Sequence, residues 1–159
     1  MIRSRSEAIA ILDRTPATLV SLTATLPEAA LDFRPSPQEW TIREVLAHLV
    51  DDEMYVMRTR LERIVKEDRP HLAPHDEQKW YANRNTTRDG LAQLLDDFRL
   101  QRAASLNIIN MLRDEDWARE GYQPEYGHFT AEVWLGHWVD HDTTHTRQIE
   151  GNLKAMGQR

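Results

Sequence analysis

Residues 137–150 read HWVDHDTTHTRQIE and place His137, His141 and His145 four positions apart. An α-helix advances about 100° per residue, so positions four apart share a face and lie about 6 Å apart along the axis. Trp134, Trp138, Ile149 and Leu153 fall on the same face. The stripe therefore points inward, and polar side chains on such a stripe need partners. His141 and His145 can hold one metal ion between them. Each four-residue step also drifts about 40° around the axis, so all three histidines do not readily face one ion. His137 could pair with His141 instead; otherwise it is a hydrogen-bonded histidine near the core. A polar stripe on a surface helix is the bland alternative for the whole segment.

The helical pattern continues outward on both sides. Thr130 reads as an N-cap, Val133 to Met156 keep the apolar spacing, and Gly157 is a plausible stop. Three further patterns precede it. One runs from about Ser4 to Leu26, where Thr15-Pro16 predicts a kink or restart. The next opens at Thr41, which with Glu44 forms a capping-box signature, and ends near Lys66. The third starts near Thr86 or Thr87 and carries Leu91, Leu94, Phe98, Ile109 and Leu112. No strand alternation or repeat is visible, and the segments between the helices read as loops. Four amphipathic helices predict an all-α four-helix bundle, with one domain over residues 1–159. The connecting loops are long for a simple bundle and could frame a pocket.

Composition narrows the chemistry. The chain has 159 residues, a formal charge of −6 and no cysteine. No basic block suits a nucleic-acid backbone as the main partner. Without cysteine there is no disulfide, thiolate metal site or protein thiol nucleophile. No apolar run reaches the roughly 18 residues of a membrane span, and the first residues, MIRSRSEAIAILDR, lack a signal-peptide core. The expectation is a cytoplasmic protein without membrane or nucleic-acid partners.

The second helical pattern supplies another inward histidine. In VLAHLVDDE, His48 sits beside Val45 and Leu49 on the core side. A bundle lets one helix give one ligand and another give two, and three histidines leave a fourth position open, as in catalytic sites. His71, His75 and His128 lie in proline- or glycine-bearing segments, where solvent-exposed roles are expected, with a pocket mouth as the alternative. Asp52, one turn beyond His48, could hydrogen-bond a ligand imidazole or be an ordinary surface carboxylate. Arg102, near the inner stripe of the third helix, could hold an anionic substrate or form a structural ion pair. Gln148, three residues past His145, could orient a ligand. There is no glycine-rich phosphate loop.

These residues resemble a known family. WTIREVLAHLVDDE (40–53) is similar to the W-S-x-x-E-x-x-x-H-L-x-x-x-E segment of the DinB-like superfamily, which includes the YfiT-like proteins. HDTTHTRQI (141–149) resembles its closing H-D-x-x-H-x-x-Q-I motif, and residues 96–137 resemble its third helix and following connection. Many members carry R-G-Q where this chain has Thr146-Arg147-Gln148. The resemblance implies a four-helix bundle holding a divalent metal on His48, His141 and His145, with no place for His137 in the triad. Glu53 matches a recurrent family position. The resemblance also suggests a homodimer, and a small-molecule substrate. Three imidazoles suit zinc, nickel, iron or copper alike. Some members activate a low-molecular-weight thiol for transfer or isomerisation, so the leading expectation is a metal-dependent thiol transferase. A metal-dependent hydrolase and a non-catalytic metal- or ligand-binding protein are the alternatives.

Overall fold

The four long helices form where the periodicity places them. In the computed structural model, which describes residues 4–157, α1 spans Arg5–Thr23 and α2 spans Ile42–Asp52. A π-helical stretch, Glu53–Arg58, leads from α2 directly into α3, Thr59–Lys66. A short helix, α4, spans Glu77–Asn83, followed by α5, Leu91–Met111, and α6, Ala131–Gly157. The Thr41 hydroxyl accepts from the Glu44 N–H, and the Glu44 carboxylate accepts from the Thr41 N–H, completing the expected capping box. The Thr130 hydroxyl accepts from the Val133 N–H at 3.2 Å and opens α6.

Several local expectations differ. The chain does not restart at Pro16, because α1 is continuous through it. Proline lacks the N–H that would bond the Leu12 carbonyl; a guanidinium N–H of Arg102 donates to that carbonyl instead, at 2.7 Å. Helix α5 starts at Leu91, later than Thr86 or Thr87, and the Leu91 N–H donates to Glu28 Oε1 at 2.9 Å. The segment read as an irregular loop contains an antiparallel hairpin, β1 (Glu120–Gln123) with β2 (Gly127–Thr130), in the register Glu120↔Thr130 to Gln123↔Gly127. Each strand has only four residues, too few for alternation to stand out. The hairpin is minor, and the molecule is an all-α four-helix bundle. No helix among the described residues is long and apolar enough to cross a membrane.

The long loops follow from the helix order. Helix α1 packs on α5 and α6, and α2 packs on the same two. Successive helices α1 and α2 thus lie across the bundle from each other, as do α5 and α6, and a tight turn cannot join such diagonal neighbours.

The interior has three layers. One apolar cluster gathers Leu12, Leu61, Ile64, Trp134 and Trp138; another gathers Leu19, Ile42, Val45, Phe98 and Ile149. Between them on every long helix sit buried polar residues: Thr15, Asp52 and Glu53, Arg102 and Ser105, Asp142 and His145. This polar layer carries both the internal ion pairs and the candidate site.

Candidate metal centre

Helices α2 and α6 bring His48, His141 and His145 together. One ring nitrogen from each lies within 4.8 Å of the other two. His48 Nε2 is 3.1 Å from His141 Nε2, and the His145 ring centroid is 4.5 Å from that of His48 and 4.4 Å from that of His141. Two ring nitrogens facing each other at that distance need something positive between them, a proton or a cation.

Burial keeps two of these rings neutral. Desolvation pushes the pKa of His48 down to about 3 and that of His145 down to about 4. Neutral imidazole is the ligating form. His145 Nδ1 lies 2.6 Å from Gln148 Oε1. With Nδ1–H donating there, the His145 Nε2 lone pair is free, the arrangement typical of a metal-ligating histidine. Indoles wall the group: Trp40 and Trp80 meet the His48 ring edge-on at 5.1 and 5.0 Å.

Asp52 stands among the rings. Its Oδ2 is 3.5 Å from Nε2 of both His48 and His141. Burial alone would raise its pKa, but contacts with His141 and His75 and the charge of the nearby rings hold it well below the usual carboxylate range. His75 Nε2 lies 3.2 Å from Asp52 Oδ1, which raises the His75 pKa against the opposing effect of burial. The ring N–H does not aim at the oxygen, so His75 Nε2 and Asp52 Oδ1 are both buried without a hydrogen bond, as is His48 Nδ1. Such atoms are rare in protein interiors and point to a partner other than protein. A divalent cation fits this donor set: three converging imidazoles, two of them buried and held neutral, beside an ionised carboxylate.

The other expected residues fall in different places. Glu53 and Arg102 are buried in the polar layer and pair with each other at 2.8 Å. His137 packs against Tyr126, with ring centroids 4.9 Å apart, and against Trp134, away from the triad. His71 and His128 flank Tyr122 at the hairpin.

His75, expected to be exposed or at a pocket mouth, lines the cavity at the site, half-buried. Its loop is held by paired backbone bonds, Leu72 N–H to Tyr122 O at 2.8 Å and Tyr122 N–H to Pro70 O at 3.0 Å. On the far side, α4 is tied to α2 by Asp51, which accepts from Trp80 Nε1 and Arg84 Nε. Neither anchor has a signature at His75 itself. A cavity of about 480 Å³ opens onto the three histidines, Asp52 and His75, a size usual for small-molecule sites.

Known proteins give this geometry a family setting. The pattern of the DinB superfamily matches residues 11–149. YfiT of Bacillus subtilis is 28% identical over 155 residues, which cover 94% of this chain and 84% of that protein. OB0782 of Oceanobacillus iheyensis is 27% identical, with 94% of this chain and 86% of that protein covered. Both are named as candidate metal-dependent hydrolases. The solved structure of YfiT, described as a probable metal-dependent hydrolase with an unusual four-helix bundle topology, superposes with a TM-score of 0.87 at 24% identity, covering 98% of this chain and 90% of that one. A conserved protein of Enterococcus faecalis shares the fold at a TM-score of 0.69 and 12% identity, with each chain fully covered. With its family pattern spanning all four long helices, the chain belongs to the DinB superfamily.

Proposed function

We propose that this protein is a metal-dependent hydrolase of small molecules, with His48, His141 and His145 holding one divalent cation, either zinc, nickel or iron. The observation that carries the reading is the convergence of three ring nitrogens within 4.8 Å at the wall of a cavity of about 480 Å³. When bound, such a cation supplies Lewis acidity, polarising a substrate carbonyl and making nearby water a better nucleophile.

The chain's own residues do the rest. Gln148 fixes the His145 ring through Nδ1. Asp52, kept ionised beside the rings of His48 and His141, balances the charge of the cation they would hold. His75, at the cavity wall with its proton affinity raised by Asp52, is the group placed to supply a proton. Trp40 and Trp80 keep bulk water from the His48 side.

Protein purified without a histidine tag should contain about one divalent metal per chain and turn over ester or amide substrates, losing both to a chelator. Metal-free protein that binds no divalent cation at micromolar concentrations overturns the reading. Thiol activation is the second reading. The absence of cysteine is compatible with it, since any sulfur nucleophile would have to come from outside. Sulfur-to-metal charge transfer in a Co²⁺ sample on adding a small thiol, without ester turnover, puts it first.

A further inference from the structure

Three arginines are buried among the described residues: Arg43, Arg60 and Arg102. Two of them have carboxylate partners. Arg43 pairs with Asp32 at 2.7 Å and Glu28 at 3.1 Å, and Arg102 pairs with Glu53 and Asp142. Arg60 differs. Its one protein hydrogen bond runs from Nη2 to the Ala73 carbonyl at 2.8 Å, and no carboxylate among the described residues lies within ion-pair distance. Its guanidinium sits over the Trp134 ring, 5.1 Å from the centroid. An arginine cannot shed its charge inside a protein. A buried cation held by one carbonyl and an indole face is therefore under-compensated.

Arg60 lines the same cavity as the three histidines. The backbone accounts for this. His48, Asp52, Val56 and Arg60 are four residues apart, and in an unbroken α-helix each step would drift about 40°. The π segment Glu53–Arg58 advances less per residue and cancels much of that drift, so all four face the cavity. The bland role for Arg60 is to anchor the loop at Ala73. That role uses one N–H, and the others are not sealed from the cavity.

We infer that Arg60 is the specificity determinant of the site: it binds a carboxylate, or another compact anionic group, of a substrate whose reacting centre lies at the three histidines. Resting on the metal-centre reading, the inference narrows the substrates to small anionic molecules. Burial lowers the Arg60 pKa, and Tyr126, Asp52 and Glu125 offset part of that without pairing with its donors. Val56, Met57 and Trp134 give the spacer between the two ends of the substrate an apolar wall.

Two hydroxamates of equal chain length test this with Co²⁺-loaded protein, read by its visible spectrum. Butyrohydroxamate has only the chelating head, and succinate monohydroxamate adds a carboxylate at the far end. The carboxylated probe should bind about tenfold tighter or more, the range for a charged hydrogen bond. In Arg60→Gln the preference should vanish while cobalt content stays at the wild-type level. If R60Q does not fold by circular dichroism, Arg60→Lys carries the test: it keeps the charge but loses the planar fork, and the preference should fall severalfold. Equal affinities in the wild type, or an undiminished preference in R60Q or in a folded R60K, overturn the role of Arg60 and leave the metal centre standing. A cobalt-loaded protein whose spectrum answers to neither probe overturns both.

Discussion

Two polar groups share the middle layer of the bundle, and they are built to opposite ends. Around Arg102 the inventory closes. Its five N–H groups donate to Glu53 twice, to Asp142 twice and to the Leu12 carbonyl, all at 2.7 to 2.9 Å. Trp138 Nε1 adds a bond to Glu53 at 2.9 Å. Around His48 the inventory stays open. Ring nitrogens face one another, and His48 Nδ1, Asp52 Oδ1 and His75 Nε2 have no hydrogen bond. Burial is nearly equal, at 1% exposure for Arg102 and 2% for His48. Saturation is what separates them: a saturated buried network holds helices together, and an unsaturated one is prepared to hold something else.

The largest expected effect breaks the first half of that contrast. Arg102→Ala leaves Asp142 and the Leu12 carbonyl without their donor and Glu53 with only the Trp138 N–H. It should cost about 3–5 kcal/mol of stability, the usual range for breaking a buried ion pair. Denaturant titration checks this, and a loss below about 1 kcal/mol would make the node dispensable. The second breaks the other half. His48→Ala and His145→Ala should each lose most bound metal by elemental analysis while keeping the helical spectrum. His137→Ala should keep its metal, because that ring packs on Tyr126 and Trp134. Metal loss on removing His137 but not His145 would move the ligand pair to His137/His141.

A third prediction uses proton linkage in the metal-free protein. An unfolded histidine takes up a proton below about 6.5, whereas His48 and His145 stay neutral in the fold down to about 3 and about 4. The unfolded state therefore binds more protons across this window. The stability these groups allow is complete above pH 6.5 and lost as pH falls towards 4. Tm should drop over that interval, with a shallower slope in His48→Ala. A flat Tm would mean that the rings are already protonated in the fold. The smallest effect separates fold from site: Thr41→Ala removes the cap of α2 and should cost about 1 kcal/mol, with metal content unchanged.

Much of the candidate site was legible because its logic is local. His48 and the His141/His145 pair lie on core-facing stripes, and spacing alone puts each on the inner side of its helix. Gln148 is one turn from His145 and bonds to it. Arg102 was legible only as an inner-stripe cation. Whether it meets a substrate or carboxylates depends on which helices face α5, and both Glu53 and Asp142 do. His75, directly after Pro74 in a loop, offered no more than a place at a pocket mouth, and Arg60 gave no signal, because it reaches the cavity through a π segment that the apolar pattern does not reveal.

The sequence by itself determined the four helices, the capping box at Thr41 and the two helical segments that carry the three histidines. Hydrogen bonds within a helix, caps and i,i+4 faces connect residues only a few positions apart, so composition and spacing encode them directly. Only the tertiary structure decided that α1 lies opposite α2, that Arg102 takes the carbonyl freed by Pro16, that Glu28 caps α5 from 63 residues away and that His75 and Arg60 join the site. These are pairings between distant segments, selected by how the apolar faces of four helices pack at once, and no local spacing specifies them.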